Sequence, residues 1–398
     1  MPVGTARPLR RLPPLTTHYS IFQKAKEDPP MHFRSRKSLT ACLITGLGLA
    51  GAAWVSVARG HDAPDSVEPP PDAACVTAQV RSGAGENTYE SVPNWCQIPE
   101  GRKNLGSTHG GVLVDKDGNI YFSMDAGPQG ILVYSPDGKM IRGFAEKFVG
   151  IHGMCLNDED GQQYLYAAHL KGRQAVKMKL DGTVVWTIGF DAVKQSGKYE
   201  KLEQFSPTAI AVVPNGDVFI ADGYGQNWVH QFDKNQKYVR SFGGKGKGDG
   251  QFQTCHGIAL DKRGDKPLLL VCDRENHRLQ HFDLDGKFVN VVWTDEKGRA
   301  RPCSMSFHGD HIAIADLAGE VLILDGQNKL AATLGDNPDP KQRANFNVPP
   351  EQWKEGIFNA PHGISYDKDA NLYVEDWNAS GRISKMMKVK EGNQARAE

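Results

Sequence analysis

The sequence predicts an all-β chain built as a six-bladed β-propeller, and three observations predict it. One four-strand pattern recurs six times, starting near Gly111, Gly153, Thr208, Gly257, Cys303 and Gly363, at the spacing of about 40 residues that belongs to a propeller blade. Asp-Gly or Asn-Gly pairs punctuate it at Asp117-Gly118, Asp137-Gly138, Asp181-Gly182, Asn215-Gly216 and Asp285-Gly286, supplying the positive backbone angles that tight hairpins need. Glycine (43) and proline (23) are both plentiful among the 398 residues, which favours turns over long helices.

Residues 1–73 stand apart from that pattern. Residues 1–58 hold eight basic and two acidic side chains against 47 of each in the whole chain, leaving 39 basic and 45 acidic, net −6, from Arg59 onward. Within them an uncharged run, Ser38 to Ala58, follows Arg34, Arg36 and Lys37. This reads as a secretory signal over residues 31–58, cleaved after Ala58. The competing reading is an uncleaved anchor, because a run of that length just suffices to span a bilayer; Gly46, Gly48 and Gly51 lower its hydrophobicity and favour cleavage. Either way the remainder is exported, to the periplasm or the extracellular space. The signal would start naturally at Met31. Residues 59–73, rich in Pro, Asp and Ala, read as a linker.

The propeller is assigned to residues 74–390, followed by a polar tail, 391–398. Cys255-His-Gly-Ile-Ala-Leu-Asp261 aligns with Pro361-His-Gly-Ile-Ser-Tyr-Asp367 as first strands. Second strands end in Asp, as in Leu268 to Asp273 and Leu372 to Asp376, and apolar runs such as Val218-Phe-Ile and Ile131-Leu-Val-Tyr supply strand periodicity. The last unit is one strand short, so an N-terminal strand, assigned to Ala74–Val80, is expected to close the ring and remove its exposed edge. Insertions at Ala192–Gln204 and Asp336–Glu355 lengthen two inter-blade loops. The cysteine spacing matches no zinc-finger pattern; Cys75 and Cys96 flank the entrance and could pair in an oxidising compartment.

The chemistry is expected on the axis. His152, His256 and His362 occupy one repeat position, before Gly at the start of strand one, in units two, four and six. Alternate blades of a six-membered ring are related by a third of a turn, so three imidazoles converge. Three neutral imidazoles with a free fourth position are a zinc arrangement; the plainer alternative is that histidine merely fills a solvated channel mouth. His109 looks similar, but it stands six residues before its aspartate where His256 stands five, and a one-residue slip should turn it away from the channel. His169, His277 and His311 are assigned to the surface. Strand-two ends project to the same mouth, bringing Tyr224 and Arg274. A cation's field favours a phenolate, and a guanidinium fork suits a carboxylate, although the neighbouring aspartates serve the turns in the plainer reading. The balanced overall charge gives no case for nucleic-acid binding.

These segments resemble NHL repeats, and Phe205 to Asp283 resembles the peptidyl-α-hydroxyglycine α-amidating lyase family. The carrying segments are Phe205-Ser-Pro-Thr-Ala-Ile-Ala-Val, Ala221-Asp-Gly-Tyr-Gly-Gln-Asn, Gly250-Gln-Phe-Gln-Thr-Cys-His-Gly and Asp273-Arg-Glu-Asn-His-Arg-Leu-Gln. The resemblance extends more weakly over Gly111–Val389. It implies a six-bladed propeller with zinc on His152, His256 and His362, Tyr224 as catalytic tyrosine and Arg274 as one of two active-site arginines. The implied reaction cleaves a peptidyl-α-hydroxyglycine to a peptide amide and glyoxylate. Two family features are missing: the second arginine falls at Met124-Asp125, where Asp125 would repel a carboxylate, and a structural calcium ligand is replaced by Gly363. Two classes of function therefore stand: an exported, monomeric zinc-dependent carbon–nitrogen lyase, or a hydrolase-like relative, acting on a small polar or peptide-derived substrate; or a non-catalytic NHL propeller binding a protein or glycan partner.

Overall fold

The computed structural model of the chain describes residues 78–390. The proposed signal or anchor, the linker, Cys75 and the polar tail lie outside the described residues. Six antiparallel sheets stand around an axis, and each innermost strand packs against those of both neighbouring blades, the last against the first. The innermost strands are, in order, Thr108–Val114, Ile151–Glu159, Ala209–Val212, Cys255–Asp261, Pro302–His308 and Pro361–Tyr366. Among the described residues no helix is long and apolar enough to cross a membrane.

The core is six layers between blades rather than one centre. Tyr121, Val133, Leu165 and Val176 fill the gap between blades one and two, and Ile120, Phe122, Tyr134 and Tyr373 fill the gap between blades one and six. A second or third strand therefore meets apolar neighbours on both faces. Ile131–Tyr134 and Val218–Ala221 are buried at every position, which is why these runs are continuously apolar rather than alternating.

The turn dipeptides act through glycine alone. Gly118, Gly138, Gly182, Gly216 and Gly286 have φ between 76° and 93°, whereas the preceding Asp or Asn does not enter the positive region. In the first of these turns Gly118 N donates to Asp115 O and Asp115 N to Asn119 O, both at 3.0 Å. This is a three-residue hairpin with glycine at its left-handed position, not a two-residue turn.

The last blade takes its fourth strand from Asn87–Ser91, which pairs with Arg382–Lys388, and Arg81–Ala84 adds a fifth strand outside it. Of the expected donor Ala74–Val80, residues 74–77 lie outside the described residues and 78–80 form no strand. Val80 still touches the closing strand, accepting Ser91 N at 2.9 Å. Asn87–Ser91 suits the place, with Asn87, Tyr89 and Ser91 buried and the residues between them half-exposed. The insertion before blade three carries a short helix, Phe190–Lys194. Cys96 has no disulfide partner among the described residues, and Cys75 lies outside them.

Candidate metal centre

One repeat position, traced around the ring, reads Gly110, His152, Thr208, His256, Cys303, His362. Even blades contribute an imidazole there and odd blades a backbone carbonyl. His152 Nδ1 donates to Thr208 O at 2.7 Å, His256 Nδ1 to Cys303 O at 2.8 Å and His362 Nδ1 to Gly110 O at 3.0 Å. A carbonyl only accepts, so each Nδ1 carries the proton and each Nε2 is left with its lone pair. The glycine after each histidine permits this contact. A Cβ at Gly153 would lie 2.4 Å from Thr208 O, and one at Gly257 would lie 2.4 Å from Cys303 O.

The three rings meet on the axis. Their centroids are 4.7 Å apart for His152–His256 and 4.6 Å for both His152–His362 and His256–His362, and each residue is only 2% exposed. Burial holds all three imidazoles well below the usual histidine range, so they are neutral at pH 7. Nε2 of His152 and of His362 are buried without a hydrogen-bond partner. A buried polar atom left in that state costs about 1–3 kcal/mol. Three neutral imidazoles whose rings meet, two with a bare Nε2 and the third, His256, sharing its Nε2 lone pair with the Tyr224 hydroxyl, are the donor set zinc takes, with a fourth position free. The residues fit the ion.

Tyr224 and Arg274 stand on the rim. The Tyr224 hydroxyl donates to His256 Nε2 at 2.9 Å, and Arg274 Nη1 donates to the same oxygen at 3.1 Å. Arg274 Nε also bonds Glu275 Oε1 at 2.9 Å, and Arg301 Nη2 holds that carboxylate oxygen at 2.7 Å. Burial pushes the Tyr224 phenol up to about 12, and the Arg274 guanidinium beside it offsets only part of the effect. The aspartates preceding the rim loops serve the scaffold. Asp222 Oδ1 accepts Ser206 N at 2.6 Å and Asp273 Oδ1 accepts Gln253 N at 2.7 Å, tying each rim loop to the segment entering strand one.

His109 overturns its expectation. Its ring lies 4.7 Å from His152 and 4.8 Å from His362, and its ligand-capable atoms are within 4.8 Å of theirs. The slip argument fails because blade one absorbs the extra residue in its bulge. Between the pairs Thr108–Met124 and Val112–Phe122 three residues face one, whereas between Cys255–Asp273 and Ile258–Val271 two face one. The signal available in sequence was His109-Gly110-Gly111, a doubled glycine where the other three histidine-bearing units have one. Cys303 was likewise missed. Its Sγ lies within 4.8 Å of ligand atoms on His256 and His362, although burial raises the thiol to about 11.

Three other expectations change. Asp125 does face this mouth, but Lys171 Nζ stands 3.3 Å from its carboxylate and offsets its charge. His169 is buried, not on the surface: Val149 O accepts its Nε2 at 3.1 Å. Beside Gly363 the register partner is Glu375, fully buried, whose Oε1 accepts Gly110 N at 2.9 Å while Oε2 has no partner. Burial raises this carboxyl well above its usual range.

Comparison with known proteins agrees with the architecture. Residues 205–296 match the family described as DUF5128, a 6-bladed β-propeller. The peptidylglycine alpha-amidating monooxygenase of Rattus norvegicus is 30% identical over 182 residues, which are 43% of this chain and 17% of that protein. The peptidyl-alpha-hydroxyglycine alpha-amidating lyase 1 of Drosophila melanogaster is 25% identical over 249 residues, 57% of this chain and 42% of that protein. The chain thus spans less than half the length of these relatives. A gluconolactonase from Xanthomonas campestris shares the fold at a TM-score of 0.53 and 10% identity, over 77% of this chain and 94% of that one. The chain is a six-bladed, NHL-like propeller with homologues named for peptide amidation.

Proposed function

We propose that the protein is an exported zinc-dependent lyase that cleaves a carbon–nitrogen bond in an α-hydroxyglycine-type substrate, releasing an amide and glyoxylate. The observation that carries this reading is the trio of carbonyl-anchored imidazoles whose rings meet, with Tyr224 bonded to one of them and to Arg274. The relative named as a peptidyl-alpha-hydroxyglycine alpha-amidating lyase supports the choice of substrate class.

His152, His256 and His362 would hold the ion, which when bound supplies positive charge that polarises a substrate hydroxyl and stabilises developing alkoxide. Tyr224, bonded to His256 Nε2, would exchange that hydroxyl's proton. As the proton leaves, the hydroxyl-bearing carbon becomes the aldehyde of glyoxylate, the C–N bond breaks and the amide nitrogen takes up a proton. A phenol held near 12 by burial acts as a base at neutral pH only if further positive charge lowers it. Arg274, pinned by Glu275, presents its remaining donors to a carboxylate. Lys171 against Asp125 moderates the repulsion that a lone aspartate would impose.

The test is glyoxylate release from α-hydroxyhippurate by the zinc-loaded chain, compared with the same chain stripped by a chelator. Turnover that disappears on stripping and returns with zinc is the expected result. A zinc-loaded chain that releases no glyoxylate discards the lyase and leaves the binding propeller.

A further inference from the structure

We propose that His109 is a fourth nitrogen ligand for the ion held by His152, His256 and His362. The proposal rests on reading the trio as a metal centre, and it concerns a residue whose repeat position gave no reason to include it.

The His109 ring lies as close to His152 and His362, at 4.7 and 4.8 Å, as the trio's rings lie to one another. Ligand-capable atoms of His109, His152 and His362 are all within 4.8 Å of one another. Two nitrogens sharing a zinc stand about 3.4 Å apart, so bringing His109, His152 and His362 to that spacing takes at most a side-chain adjustment on the order of 1 Å. His109 is free to make it. The other three rings are each pinned by a neighbouring carbonyl, whereas no hydrogen bond among the described residues holds either His109 nitrogen. Its contacts are faces and edges of rings: Trp377 at 5.6 Å and Tyr224 at 6.3 Å, the latter stacked at 22°.

The backbone reason is local to blade one. Gly110 fills the repeat position and spends its carbonyl on His362 Nδ1. The additional bulge residue returns the preceding side chain to the axis. The centre therefore has three anchored ligands and one unanchored ligand. His109 would thus hold the fourth position as the ligand whose ring is least fixed by the protein.

The test uses the full chain loaded with Co(II) and, separately, with zinc. Replacing His109 by Ala should change the visible absorption of the Co(II) form and weaken zinc against a competing chelator by at least roughly tenfold. The circular dichroism of the metal-free variant should match that of the parent chain. X-ray absorption of the zinc-loaded parent chain needs no variant and should read four imidazole nitrogens. Three nitrogens plus an oxygen, or a His109→Ala chain with unchanged spectrum and affinity, overturns the proposal while leaving the three-histidine centre intact. A parent chain that takes up neither metal overturns both.

Discussion

An imidazole gives a metal a fixed lone pair only when its other nitrogen is occupied and its ring is held still. Here the neighbouring blade meets both conditions through a single carbonyl, so His152, His256 and His362 are oriented before any ion arrives. Tyr224 sits differently, because its hydroxyl bridges His256 and Arg274 and supports no strand. Tyr224→Phe should therefore keep its zinc and its substrate KM while kcat for glyoxylate release falls about 100-fold or more, the usual loss for a positioned acid–base group. Undiminished kcat in that variant removes the tyrosine from the chemistry. The three anchored histidines were legible in sequence because repeat position converts directly into angular position around the axis. His109 was not. Its direction depends on how many residues a bulge absorbs, and one chain read alone carries the pairs Thr108–Met124 and Val112–Phe122 nowhere on its surface.

At the scale of the strand, the His-Gly dipeptide joins chemistry to packing. Histidine supplies the ring, and glycine lets the next blade's carbonyl come close enough to hold it. Gly257→Ala would bring a Cβ to 2.4 Å from Cys303 O, so blades four and five must separate locally. The expected cost is about 1–3 kcal/mol, the usual range for overpacking, read as a lower melting midpoint. Zinc affinity should fall with it, since the acceptor of His256 Nδ1 moves away. Gly264→Ala is the control: its Cβ meets nothing nearer than 3.9 Å, and its melting and zinc affinity should match the parent. Equal behaviour of the two variants would mean the carbonyl contact does not set the ring. The strands themselves were readable from turn glycines and apolar runs. The closing strand was misplaced because Asn87–Ser91, with Tyr89 its one large apolar residue, lacks a continuous apolar signature, and pairing with a strand at the far end of the propeller sequence leaves no local mark.

Ring closure lets these parts act together. Six blades give equivalent positions evenly spaced around the axis, and using every second one yields a three-fold set without three-fold symmetry in the rest of the sequence. The interleaved blades are free to differ: Thr208 and Cys303 present carbonyls, Gly110 presents one and lets His109 in, and the rim carries Arg274 in one blade and Asp125 in another. Architecture was legible from the repeated strand pattern and its turn glycines; the makeup of the rim was not, because each loop departs from the repeat. The most direct measurement is elemental analysis of the purified full chain beside His256→Ala. One zinc per chain in the parent and none in the variant is the result predicted. A metal-free parent, or a variant that keeps its full zinc, would contradict it.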